Sequence, residues 1–347
     1  MAYTTIDDPT QHFNTVLYTG DGNDGRTVTG VGFQPDFVWI KGRSVAEHHT
    51  LNDSVRGANN QIYSHLAYSN ATDTDRLQSF DSDGFTLGTD VIVNQDTKTF
   101  VAWNWKAGTT GSGNTTGSGT SKAYSYAVNT TAGFSIIKYV GNITAGHTIP
   151  HHLGRKPDAI LVKHLDDGQQ WATQWSPLGA EKVMRFATTN AVSDSNTRWN
   201  DTEPTSTVFT VSTEHETNTD DGNHIAFCFA NIQGYCQVGS YKGNGDANDG
   251  AMVYTGFKPA WVMIKRTDST SQWCIIDNKR PGYNIAVNTL FANLSNVEAT
   301  DLGLNFFANG FKEDTTNNLG ADGGDYIYLA FAESPFVNSN GVPNNAE

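Results

Sequence analysis

A decapeptide written three times constrains this chain more than any other feature. "GFQPDFVWIK" at 32–41 returns as "GRKPDAILVK" at 154–163 and as "GFKPAWVMIK" at 256–265. The glycines that open them, Gly32, Gly154 and Gly256, carry further landmarks at nearly fixed offsets. Upstream of each is an aromatic-glycine turn: "VLYTGDG" (16–22), "IIKYVGN" (136–142) and "VGSYKGNG" (238–245). Downstream lie Gly57, Gly179 and Gly282, then Phe85, Phe209 and Phe311. Each stretch closes on an apolar run: "TFVAWNW" (99–105), "HIAFCFA" (224–230) and "DYIYLAFA" (325–332). Landmarks kept in one order three times imply three copies of a structural unit.

Within each copy, short strand-like runs alternate with Gly, Asn, Asp and Thr turns. That spacing predicts an all-β chain of three tandem β-sandwich units of jelly-roll or lectin-like type. Composition agrees: 34 glycines, 37% hydrophobic and only 17% charged residues, with no long helical periodicity. The decapeptide itself reads as a central strand. Pro35, Pro157 and Pro259 suit its first positions, where no ladder donor is needed. Beyond them Phe37, Trp39 and Lys41 share one face, and Val38 and Ile40 the other. Both faces are apolar, as in a strand covered on both sides. The closing lysines, Lys41, Lys163 and Lys265, are expected to snorkel or pair at the strand end. The expected organisation is an N-terminal segment 1–12, repeat 1 at 13–106, a Gly/Ser/Thr linker at 107–130, repeat 2 at 131–232, repeat 3 at 233–336 and a C-terminal tail 337–347.

A formal charge of −14 without any basic cluster argues against nucleic acid as a partner. Cys228, Cys236 and Cys274 cannot all pair and lack metal-ligand spacing, which fits folding in a reducing cytoplasm. The start, "MAYTTIDDPTQHF", has neither the basic region nor the apolar core of a signal peptide. No apolar run is long enough for a membrane-spanning helix, so no membrane insertion is expected.

The same stretches carry a resemblance. "MAYTTIDDPT", "FQPDFVWIKGRS" with "NDSVRG", "NTTAGFSIIKYVGN", "YTGFKPAWVMIKRTDST" and "YIYLAFAESPFVNSNGVP" resemble an uncharacterised β-sandwich repeat family of tailed, often marine, bacteriophages. Its members are commonly described as tail-fibre or virion structural proteins. The resemblance implies a virion protein made in the host cytoplasm, with itself (a homo-oligomer such as a trimer) and other virion proteins as partners. A start of the first unit within a dozen residues favours a knob, short appendage or surface-decoration protein over a long fibre.

Chemistry is sparse. Glu214 and Glu216 would share one face of a strand, the kind of pairing a β-sandwich glycoside hydrolase needs, but the surrounding segment is polar and reads as a loop. Acidic glycine turns offer calcium candidates, Asp21, Asn23 and Asp24 in one and Asp246, Asn248 and Asp249 in another. Hairpin turns demand the same residues, and no downstream glutamate completes a calcium loop. The histidines of "HTIPHH" lack metal-site spacing, and no cofactor is expected. Trp171 and Trp273 lie equally far from their opening glycines, which points to the core. Trp175 and Trp199 are then the candidates for stacking on a host surface glycan. The sequence thus reads as a non-enzymatic structural component of a phage virion, with a glycan-binding adhesin as the alternative and a glycoside hydrolase as a third reading.

Overall fold

The computed structural model describes residues 2–345, apart from 247, 282–283, 301 and 314–317. The landmark Gly282 lies outside the described residues. The chain is nearly all β, and its strands form three pairs of antiparallel sheets in chain order. In the first pair the larger sheet runs, edge to edge, Phe13–Thr19, Thr99–Trp105, Phe37–Gly42, Thr50–Asp53, Asn60–Ile62 and Ala71–Thr72; the smaller is Arg26–Thr29, Gly84–Leu87 and Leu77–Asp81. The second pair sets an eight-stranded sheet around Phe134–Val140, Asn223–Phe229 and Ala159–His164 against Thr116–Gly117, His147–Pro150 and Val208–Val211. The third sets Cys236–Lys242, Asp325–Pro335, Phe257–Arg266, Trp273–Asp277 and Thr289–Phe291 against Met252–Tyr254, Gly310–Glu313 and Leu304–Phe307.

The alternation of the decapeptide strand explains how the pairs are assembled. One face of each strand packs on its own small sheet: Val38 and Ile40, Ile160 and Val162, Val262 and Ile264 each belong to a separate core. The other face points to a single core shared by all three pairs. Phe37, Ala159 and Trp261 enter it at one level, Trp39, Leu161 and Met263 at the next. Their cross-strand partners, Trp105, Phe229 and Phe331, then Trp103, Phe227 and Leu329, complete the two levels. Packing is by ring edges and faces, as between Phe37 and Phe227 (centroids 4.4 Å apart) or Trp105 and Trp261 (5.8 Å, 89°). Because that core belongs to no single pair, burying it requires all three.

Glycine sits where backbone requires it. Gly32, Gly154 and Gly256 have φ of 87°, 71° and 81°, the left-handed region that side chains avoid. At Gly20, Gly141 and Gly243 a Cβ would lie 2.1, 2.4 and 2.4 Å from the backbone oxygens of Gln95, Thr219 and Ala321. The tyrosine two residues earlier pins the same connection. Tyr18 donates to Val93 O (2.7 Å), Tyr139 to Thr217 O (2.6 Å) and Tyr241 to Leu319 O (2.7 Å). Each ring also stacks on a cross-strand neighbour, Phe100, His224 and Tyr326 respectively.

Three segments depart from the sequence reading. The tract expected to be a linker is structured: Thr109–Asn114 is the edge strand of the second large sheet and pairs with Ala123–Asn129. Its glycines make that possible, since a Cβ on Gly111 or Gly113 would collide with the Tyr126 or Tyr124 ring lying across it. The N-terminal segment is part of the shared core through Ile6. It also binds the third pair, Tyr3 Oη donating to Gly256 O (2.8 Å) and Thr4 Oγ1 to Gln233 O (2.8 Å). The segment after Pro335 returns to it, with Ser339 N donating to Asp7 Oδ1 (2.6 Å).

Candidate functional site at the seams between sheet pairs

Three seams join the pairs head to tail, and equivalent residues build them. Seventeen residues beyond the opening glycines stand His49, Trp171 and Trp273. Trp171 Nε1 donates to Tyr63 O of the first pair (2.8 Å), and Trp273 Nε1 to Arg185 O of the second (3.4 Å). His49 closes the ring onto the third. Its Nδ1 accepts from Trp39 Nε1 (2.8 Å), so Nε2 carries the proton and donates to Phe291 O and Leu294 O, both at 3.0 Å. Burial holds this imidazole neutral by pushing its pKa well below the usual value. The offset was readable in the sequence, but a histidine in place of tryptophan hid the third member.

The three terminal lysines are buried, not snorkelling. Their side chains continue the inward face past Trp39, Leu161 and Met263, and none reaches a carboxylate among the described residues. Lys41 Nζ donates to Gly42 O (2.8 Å), Lys163 Nζ to His164 O (2.9 Å) and Gln169 O (2.7 Å), and Lys265 Nζ to Arg266 O. Burial brings each pKa down to about 8. In each case the strand's own last carbonyl receives the ammonium, which the sequence pattern does not reveal.

Buried ion pairs stand beside two of the seams. Asp53 and Arg56 pair in the first unit, Asp277 and Arg280 in the third, and the second has Trp175 and Leu178 at those positions. Asp277 also accepts from Trp103 Nε1 of the first pair (2.9 Å). Arg280 reaches Glu298 (3.1 Å), which in turn takes Arg43 across the seam (2.9 Å). The seam between the first and second pairs opens instead into a polar groove of about 440 Å³. Arg56, Asn60, Ser69 and Asn70 form one wall, Lys138, Asp166 and Asn223 the other, and Leu165 lies between. Five separate stretches of the chain supply these residues, so no sequence motif announces them.

Other expected sites dissolve in the structure. Trp175 and Trp199 are buried (1% and 0% exposed), so neither offers a face to a glycan. Trp175 packs on Trp273 in the shared core, and Trp199 lies in the core of the second pair. Glu214 and Glu216 do not share a strand face: Glu214 precedes the short helix His215–Asn218, and buried Glu216 pairs with Arg198 and Arg185. The calcium candidates act as turn residues. Asp21 accepts from Asn23 N (3.0 Å) and pairs with Arg26 (2.7 Å); Asp24 accepts from Gln78. Asp246 accepts from the amides of Asn248 and Asp249, and Asp249 pairs with Lys312. Among the described residues no three His, Cys, Asp or Glu side chains converge as metal ligands. All three cysteines are free and buried.

A family model described as a domain of unknown function (DUF7483) matches residues 8–335. Neither a curated protein nor a solved structure matches the chain. The matched span takes in all three sheet pairs together with the tract between the first two.

Proposed function

We propose that the chain, which belongs to the DUF7483 family, is a non-enzymatic structural component of a phage virion: a fibre, appendage or surface-decoration protein. The shared apolar core is the observation that carries the reading. Three sandwich units closed on one another make a rigid body whose small sheets face outward on three sides, a form suited to lateral contact rather than to a catalytic cleft. The sequence resemblance to phage tail-fibre and virion proteins supplies the setting. Self-association would use those outer faces. The third is the most apolar, exposing Met252 and Tyr254 (47% and 60%) where the first has Thr27 and Thr29.

Immunogold labelling of purified particles of the encoding virus tests the proposal. Label on tail or capsid is expected. A protein found abundantly in infected cells but absent from particles would overturn it. Light scattering on the purified chain reads self-association, with a trimer or larger assembly expected.

A further inference from the structure

We propose that the groove between the first and second sheet pairs binds one residue of a neutral saccharide. The inference goes beyond the structural role and stands independently of it. The walls are ordered before any ligand arrives. Arg56 is held by buried Asp53 and donates Nη1 to Asn70 Oδ1 (2.8 Å); Asn70 Nδ2 donates to Asn60 Oδ1 (3.0 Å). Opposite, Asp166 accepts from the backbone and side-chain nitrogens of Asn223 (2.6 and 3.1 Å). Groups fixed in this way lose little entropy on binding.

What remains unspent is a complementary set. Among the described residues the Lys138 ammonium and the Ser69 hydroxyl have no hydrogen-bond or ion-pair partner. The Asp166 carboxylate faces no cation within salt-bridge distance. One unpartnered donor, a hydroxyl and a carboxylate that accepts only from Asn223 and keeps lone pairs to spare suit the neighbouring hydroxyls of a pyranose, each of which both donates and accepts. Leu165 between the walls is buried in the shared core, so the groove offers a sugar polar contacts rather than a stacking face. Charge selects neutrality: Asp53 answers Arg56, Asp166 offsets Lys138, and a chain of net charge −14 repels polyanions. The seam between the third and first pairs lacks this set, because Arg280 and Arg43 both close on Glu298.

Saturation-transfer NMR of the full chain with glucose, galactose, mannose and N-acetylglucosamine tests the site. At least one probe is expected to receive saturation. Lys138→Met and Asp166→Ala are each expected to weaken it about tenfold, the loss of one charge-assisted hydrogen bond. Thermal midpoints near wild type would show that both variants fold. Absence of saturation from every probe, or binding that survives both substitutions, overturns the proposal. So does binding of sulfate or a sulfated sugar in preference to the neutral probes. Particle labelling is untouched by any of these results, so the two proposals fail separately.

Discussion

The second sheet pair solves with apolar residues what the first and third solve with charge. At equivalent positions stand Asp53 and Arg56, Trp175 and Leu178, and Asp277 and Arg280. All six line seams or the shared core, yet the backbone that carries them is the same. The shared core shows a similar trade: Trp39 with His49, Leu161 with Trp171, and Met263 with Trp273. Where the strand residue is large, the residue seventeen places beyond the opening glycine is the smaller ring. The lesson is that the site requires filled volume and satisfied polar atoms, not a given side chain.

The largest test of that comparison removes one partner of an ion pair. Arg280→Met should cost about 3–5 kcal/mol in urea denaturation, because Asp277 is left buried without its cation, keeping only neutral donors such as Trp103 Nε1. The double variant Asp53→Leu with Arg56→Leu, which imitates the second pair, should cost less than either single change. If the double variant were the worst of the three, the idea of interchangeable solutions would be broken.

Next come substitutions at positions the three pairs hold in common. Gly20→Ala, Gly141→Ala and Gly243→Ala should each lose about 1–3 kcal/mol, since the added methyl meets a backbone oxygen. Tyr18→Phe, Tyr139→Phe and Tyr241→Phe should each lose about 1–2 kcal/mol by leaving a buried carbonyl unpaired. Near-equal losses within each trio would sharpen the equivalence of the three units; one silent member would blunt it.

The most gradual effect is one of pH. The unfolded chain keeps its lysines protonated up to their usual pKa, while Lys41, Lys163 and Lys265 in the fold release protons near pH 8. A depressed pKa destabilises the fold at low pH and ceases to do so as pH rises. Each lysine should therefore add up to about 1 kcal/mol per pH unit between pH 8 and 10. Burial raises the thiol of Cys228 and the hydroxyl of Tyr139, which act in the opposite direction over part of this range. The difference in slope between wild type and Lys163→Met isolates the lysine.

Much of this architecture was legible in the sequence, and the failures have physical reasons. Period-two alternation placed Phe37, Trp39 and Val38 on opposite faces of a covered strand, but periodicity cannot say which neighbour covers it. Nothing local distinguishes a sandwich half from a body of three pairs around one core. Lys41 ends an apolar run in either case, and only the fold decides whether water or a carbonyl receives its ammonium. The tract at 107–130 has linker composition because its glycines make room for Tyr124 and Tyr126. Trp175 and Trp199 look solvent-facing among Gln, Asn and Asp, yet Gln174 is itself buried in its strand and Asn200 caps a short helix, while both rings turn inward. The groove escaped entirely, being a product of where one unit meets the next.

Differential scanning calorimetry of the intact chain tests the central claim most directly. If the three sheet pairs depend on one core, they should melt in a single transition whose calorimetric and van't Hoff enthalpies agree. Two or three resolved transitions would mean that each pair holds its own fold, and would contradict the account.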